Sequence, residues 1–396
     1  MRTFFRLAGS VAVVAGTAAM LAMTGGQVLA ATGAPESLAV STGSNILTSV
    51  AVASNSNAWA VGWVAHGVPA RTLVEHWNGK AWKVVPSPSP GGVTGQNDLY
   101  GVAVRSGAAW AVGQHWNGKV WQNLTEHWNG KAWQRVPSPN PGGSSRTSYL
   151  SGVAYVSRSQ AWAVGDYSTK TSDQALIARW NGKAWKIVPS PRLAGSYLQG
   201  IAVVSPKDAW AVGSISAAKS GTKTLIEHWN GTAWKRVPSP SPGTTGQDLK
   251  SISATSSSNA WAVGWYDVGT TTKSLIVHWN GRSWKRVASP DLGGSVSYSA
   301  LQGVTAASSS RAWAVGSYSP TIDTYRTLIL RWNGRFWKPV TSPSPDPTTN
   351  NLWGVAMTSS APPWAVGYSG SAGTQASTLT EHLTAGGWSQ VASPSK

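Results

Sequence analysis

The chain contains no cysteine. That excludes a disulfide framework, a thiolate metal site and a lipid-modified N-terminal cysteine, so stability must come from packing alone. Phenylalanine is nearly absent, with three residues in 396, and 14 acids stand against 32 lysines and arginines. Beyond the first 30 residues no apolar run has the length a membrane-spanning helix needs. Several signatures of chemistry are missing too. There is no His-Glu-x-x-His zinc motif, no glycine-rich phosphate loop at a strand–helix junction and no Gly-x-Ser-x-Gly nucleophile elbow. The sequence therefore implies no cofactor, no metal and no catalytic residue of these kinds.

The N-terminus has a basic start at Arg2 and Arg6, an apolar run from Leu7 to Met23 and small residues at Val28-Leu29-Ala30. This pattern predicts a secretory signal peptide over residues 1–30, followed by a leader over residues 31–45. Export leaves a secreted chain, extracellular or associated with the cell wall. The formal charge of +18 becomes +16 once Arg2 and Arg6 are removed. A balance this basic suits anionic partners, either a wall polymer or an acidic glycan in preference to nucleic acid. It also suits simple solubility.

What the chain has in quantity is tryptophan, 25 residues of it. Trp-Ala-Val-Gly recurs with its tryptophan at Trp59, Trp110, Trp162, Trp210, Trp261, Trp313 and Trp364, at intervals of 51, 52, 48, 51, 52 and 51 residues. Seven copies of a 50-residue unit with strand-like content predict an all-β, seven-bladed β-propeller over residues 46–396, with four antiparallel strands per blade. In the third copy the strands are expected at Leu150–Val156, Ala161–Gly165, Leu176–Trp180 and Trp185–Val188. Asn181-Gly182 reads as a type I′ hairpin turn, and Pro189-Ser190-Pro191 ends the ladder. In the second strand, alternation puts Trp59 and Val61 on one face and Ala58, Ala60 and Gly62 on the other. A bulky face can then nest on the small face of the next blade. On this reading 20 tryptophans, on second, third and fourth strands, are core.

The Gly-ended second strand, apolar third strand, turn and fourth-strand tryptophan resemble the kelch-type propeller repeat. Kelch repeats carry a Gly-Gly doublet, where here Trp63 follows Gly62 and Asp166 follows Gly165. The Trp77–Trp82 turn also resembles the Asp-box and tectonin-type turns of secreted propellers and lectins, and the whole pattern is similar to secreted propellers of bacteria. That resemblance implies fold and location and supplies no activity. A radical-copper oxidase of the kelch kind needs a cysteine, so it is excluded.

The two ends of such a blade differ here. Short turns of constant length carry Lys80, Arg105, Lys131, Arg158, Lys183, Lys207, Arg282, Arg311 and Arg335 against one acid, Asp208. Lys80, Lys131, Lys183, Arg282 and Arg335 are the candidate polyanion-binding residues. The other end has loops that vary between copies, including 63–71, 166–174 and 317–326, and it holds eight of the nine aspartates. Variable loops on a rigid scaffold are where function concentrates. Trp63, Trp116 and Trp265 are not demanded by the blade template. Trp353 starts a first strand, the innermost of its blade, at the position held elsewhere by Thr48, Tyr100, Ser151, Gln199, Lys250 and Gln302. The candidate ligand-binding residues are thus Trp63, Tyr100, Trp116, Gln199, Lys250, Trp265, Gln302 and Trp353, an aromatic and amide set suited to sugar rings.

Glu-His pairs at Glu75-His76, Glu126-His127, Glu227-His228 and Glu381-His382 invite an acid–base or metal reading. One pair per blade is spread too widely to converge on one ion, and Arg179 and Arg331 replace the histidine elsewhere, so these read as polar strand positions. The leading expectation is a non-catalytic propeller that binds carbohydrate or an anionic cell-envelope polymer. A protein–protein scaffold at the cell surface is the alternative. A hydrolase or lyase using loop carboxylates comes third.

Overall fold

The computed structural model describes residues 43–394, apart from the stretches 67–68, 93, 106, 218–220, 294–297 and 372–374. The expected signal peptide and most of the expected leader lie outside the described residues. So does 37–41, which the sequence offers as an added edge strand on the last copy, the alternative to direct closure of the last sheet, with its own fourth strand, on the first. The first strand opens at Gly43.

Twenty-eight strands follow one another, and the only helical segment among the described residues is a 3-10 turn at Gly143–Ser145. Each copy folds into four antiparallel strands paired in sequence order. In the first copy these are Gly43–Ser54, Asn57–His66, Arg71–Trp77 and Trp82–Val84. Five copies form separate four-stranded sheets. The fifth and sixth are joined into one eight-stranded sheet by a single parallel pairing of Thr272 with Tyr298.

The strands run longer than the apolar pattern implies. The third copy has Ser148–Ser157, Gln160–Ser168, Asp173–Trp180 and Trp185–Ile187. Asp166, Tyr167 and Ser168 pair with Ala175, Gln174 and Asp173, so part of the expected variable loop is ladder. Residues 63–66 and 317–321 likewise continue second strands. Once a hairpin is in register its backbone bonds continue through polar residues, which hydropathy alone does not reveal.

The glycine ending each second strand has a steric cause. The first strand carries a β-bulge opposite it: Leu47 pairs with Gly62 and Ser49 with Val61, leaving Thr48 as the extra residue. A Cβ on Gly62 would lie 1.9 Å from the Ile46 carbonyl oxygen, and one on Gly113 would lie 1.9 Å from that of Asp98. Only glycine permits this approach.

Sheets pack face to face as the alternation predicts. Trp59, Val61 and Val74 of the first copy nest against Ala109, Ala111 and Leu124 of the second. Every second-strand tryptophan is at most 4% exposed. Six of the seven sit on two tryptophans of the following copy, and Trp313 on Trp388 and Leu383; Trp59 lies 4.8 Å from Trp128 and 5.3 Å from Trp133, ring centre to ring centre. The same arrangement joins the last copy to the first, with Trp364 at 4.8 Å from Trp77 and 5.0 Å from Trp82. Leu47, Ala58 and Ala60 share one core with Trp364 and Val366. The last sheet thus closes directly against the first, and Ser393 Oγ extends the closure by donating to Glu75 Oε2 at 2.7 Å. Most third-strand tryptophans are only partly buried. Their indole N–H reaches the first turn of their own copy, as in Trp77 to the Asn55 carbonyl at 3.0 Å.

The Asn-Gly hairpins form, but not as type I′ turns. Trp77 pairs with Trp82, so four residues make the turn, and Gly79 has φ 91° while Asn78 stays at negative φ. Asn78 Oδ1 accepts from the N–H groups of Lys80 and Ala81, both at 3.0 Å. The asparagine works through its side chain, which replaces backbone partners that a two-residue turn would supply.

Candidate functional site

The first strands contact one another between copies. Thr48 Oγ1 donates to the Leu99 carbonyl at 2.7 Å, and Ser251 Oγ accepts from the Val304 N–H at 3.2 Å. The bulge fixes what this inner layer presents. Thr48, Tyr100, Ser151, Gln199, Lys250, Gln302 and Trp353 are each the residue skipped in the register of their copy. Thr48 is buried and the other six are half-buried.

Two of them are held by carboxylates two residues upstream. Gln114 Nε2 donates to Asp98 Oδ2 at 2.8 Å and to the Tyr100 hydroxyl at 2.7 Å, while that hydroxyl donates to Asp98 at 3.3 Å. Burial pushes both Asp98 and Tyr100 above their ordinary values. Lys250 Nζ pairs with Asp248 at 2.7 Å. Gln199 and Gln302 complete the polar part of the layer.

The off-template aromatics divide into separate groups. Trp63 of the first copy and Trp353 of the last are both half-buried and pack on one small cluster of Ile46, Tyr368 and Ala376. Trp353 meets Tyr368 edge-on, with ring centres 5.7 Å apart. Tyr298 and Tyr325 form a second edge-on pair at 5.4 Å. Burial raises Tyr298 to about 12, with Tyr325 and Tyr368 close enough to add to the shift. An arc of five aromatics, Trp63, Trp353, Tyr368, Tyr325 and Tyr298, therefore spans the sixth, seventh and first copies. Its three tyrosines were not singled out from sequence, although Tyr368 holds the position of Trp63 in its own copy; Tyr298 and Tyr325 lie on two different strands of the sixth copy. Trp265 lies over Gly246 in the fifth copy. Trp116 meets Trp121 across a tight turn of the second copy, at 5.5 Å. These two stand apart from the arc.

At the opposite end Lys80, Lys131, Lys183, Arg282 and Arg335 are all exposed. Each occupies the same place in its turn, its N–H donating to the asparagine Oδ1 two residues earlier. The lone acid of this end, Asp208, accepts from His228 Nε2 at 2.8 Å.

The Glu-His pairs take up structural positions. The imidazoles of His76, His127, His228, His278 and His382 lie 4.1–4.6 Å from the second-strand tryptophan of their own copy. Arg179 and Arg331 sit over Trp162 and Trp313 in the same way. Glu75, Glu126, Glu227 and Glu381 are fully buried. Burial lifts Glu75 and Glu227 to about 7, Glu381 to about 8 and Glu126 well above the ordinary carboxylate value. Serine hydroxyls from the preceding copy partly offset this: Ser190 donates to Glu227, as Ser393 does to Glu75. No group of three or more candidate metal ligands occurs among the described residues. No helix there is long and apolar enough to cross a membrane.

No family model and no curated relative matches the chain. Solved structures do. "YCF48 bound to D1 peptide" is 15% identical with a TM-score of 0.51, covering 88% of this chain and 95% of that one. A polysaccharide lyase of family PL25, an ulvan lyase bound to -[GlcA(1-4)Rha3S]-, is 9% identical with a TM-score of 0.52, covering 82% and 90%. The WD40 beta propeller domain of Doa1 is 12% identical with a TM-score of 0.48. The first two likenesses, together with four-stranded sheets that pack face to face and close last against first, make the chain a β-propeller repeat protein.

Proposed function

We propose that this chain is an exported, kelch-like propeller of seven blades that binds a glycan at its loop-bearing end without catalysis. The observation that carries the reading is the aromatic arc where the last copy meets the first. Trp63 and Trp353 are half-buried around Tyr368 at positions where other copies hold Gln114, Asp166, Ser214 and Ser317, or Thr48 and Ser151. Rings that the blade template does not require, with the Asn351 side chain hydrogen-bonded to Tyr368 among them, offer stacking faces and a directional partner together. The seven tryptophan junctions, one between each pair of successive copies, support the seven-blade count, and the N-terminal pattern supports export.

Among proteins of similar fold the lyase holds a sugar and YCF48 a peptide, so the fold serves both and the argument rests on this chain's residues. The exposed cations of the turn end suit docking on an anionic envelope polymer, a second contact remote from the arc.

The test is a glycan array on the residue 31–396 protein and its variants. Trp353→Ala and Trp63→Ala should abolish most glycan binding with melting temperatures close to wild type, each stacking contact being worth about 1 kcal/mol. Trp162→Ala, which deletes a blade-core ring, should cost about 3–5 kcal/mol of stability. If the arc variants destabilise as severely as Trp162→Ala, the arc is packing. If only peptides are retained on a matched peptide array, the scaffold reading takes its place.

A further inference from the structure

Stacking the seven first strands on one another exposes a second set of departures, at the turn end. Where the second copy has Arg105, the other copies hold Ala53, Val156, Val204, Thr255, Ala307 and Thr358. Where the third copy has Tyr155, the others hold Val52, Val104, Val203, Ala254, Ala306 and Met357. Arg158, in the following turn, replaces Asn55, Pro206, Ser257 and Ser309. The fold brings these three unusual residues together. They line one cavity of about 230 Å³ with Val156 and Ser157, between the ends of two adjacent inner strands.

The electrostatics of the cavity are one-sided. Its lining has two guanidinium groups and no carboxylate, and neither arginine has an acidic partner among the described residues. Tyr155 is half-buried, and both arginines are close enough to act on its phenol, opposing the upward push of burial. A second cavity, beside Tyr266, is different. Its lining includes a carboxylate, Asp291, already paired with Lys273, and its Arg286 lies over the Tyr266 ring. In the Arg105–Arg158 cavity the charge is unspent.

We infer that Arg105, Tyr155 and Arg158 form a binding site for one carboxylate-bearing sugar residue, such as a uronate within an acidic polysaccharide. Two planar forks can take the carboxylate through paired N–H donors, and the phenol ring offers a face to the sugar's C–H groups. The cavity is smaller than a site for a drug-sized ligand and has room for a single ring. This extends the reading of the turn end as an anion-docking face by giving it a selective point near the axis, independent of the aromatic arc at the other end.

The probe is tri-galacturonate, measured by calorimetry at low salt, with neutral maltotriose and inorganic phosphate as comparisons. Wild type should bind tri-galacturonate and not maltotriose at this site. Arg105→Gln/Arg158→Gln should weaken it at least tenfold. Tyr155→Val, which restores the aliphatic residue of other copies, should weaken it severalfold with the melting temperature maintained. Trp353→Ala and Lys80→Gln/Lys131→Gln should leave it unchanged, so failure of the arc or of the cationic ring is read separately. No binding of tri-galacturonate overturns the inference, as does equal binding by wild type and the double arginine variant. Binding of phosphate alone, or binding lost with Trp353→Ala, also overturns it.

Discussion

Glu381→Gln should flatten the loss of stability that the wild-type protein shows as pH rises from 6.5 to 8. Glu381 is fully buried, and neither carboxylate oxygen has a hydrogen-bond partner among the described residues. Burial raises it from 4.5 to about 8, so the folded state keeps a proton that the unfolded chain has already released. The stability tied to that proton is complete below 4.5 and drains away as pH rises towards 8, at about 1.4 kcal/mol per pH unit. The histidines act in the opposite sense at lower pH. Burial lowers His76, His127, His278 and His382, and lowers His115 to about 4, so their contribution is complete above 6.5 and is lost as pH falls. The two sets oppose each other below 6.5. Above it the buried carboxylates carry the dependence, with Glu75 and Glu227 titrating near 7.

Between 6.5 and 8 Glu381 acts alongside Glu126 and, in the lower part of the window, Glu75 and Glu227, so the difference between wild type and the Glu381 variant, not the wild-type slope, isolates Glu381. One and a half pH units assign about 2 kcal/mol to Glu381. Urea unfolding at the two pH values reads the difference directly, since glutamine keeps the size and stays neutral. The amide also acts on absolute stability, so the slope with pH is the quantity that decides. The variant should lose about 2 kcal/mol less than wild type across the window. Parallel profiles for the two proteins would refute the assignment of a buried, protonated carboxyl at this position.

Two further outcomes follow from the same geometry. Gly113→Ala places a Cβ 1.9 Å from the Asp98 carbonyl oxygen, so the bulge and the second strand cannot both keep their positions; soluble yield and melting temperature should fall at least as far as for a large core truncation, and a variant that melts with wild type would remove the steric account of the repeated glycine. Retention on an anionic wall polymer should fall steeply between low and high salt, because the exposed Lys80, Lys131, Lys183, Arg282 and Arg335 are screened within about 10 Å at 0.1 M; salt-independent retention would leave these cations as solubility devices.

Trp-Ala-Val-Gly shows how much of this was legible in the chain. Its spacing reveals the repeat because core packing needs the same bulky and small residues at each junction. The alternation of Trp59 and Val61 with Ala58 and Ala60 already names the two faces. What it does not contain is the partner. Trp59 stacks on Trp128 and Trp133, in the next copy, and Trp364 returns to Trp77 and Trp82. Those contacts exist only after sheets are placed side by side, so the sequence, in which the last copy carries its own fourth strand, left closure of the last sheet on the first as one of two modes. Gly62 marked the end of a strand in sequence, but its reason, a carbonyl on the bulged neighbouring strand, is a property of pairing.

The same division separates the two candidate sites. Trp63 and Trp353 stood out because their own copies break the template, and Tyr368, the last copy's counterpart of Trp63 after the strand glycine, carried the same signal in the sequence but was passed over because only tryptophans were compared. Asp166 and Ser168 read as loop residues because polarity was taken as the end of a strand, whereas their backbone groups continue the ladder. Arg105, Tyr155 and Arg158 were legible as three separate substitutions. They become a site only because Arg105 ends the inner strand of one copy and Tyr155 lies near the end of the next. In a repeat fold, then, residues that match the template build the scaffold. Function is to be sought where departures in adjacent copies meet, and that adjacency is what the folded chain adds to the sequence.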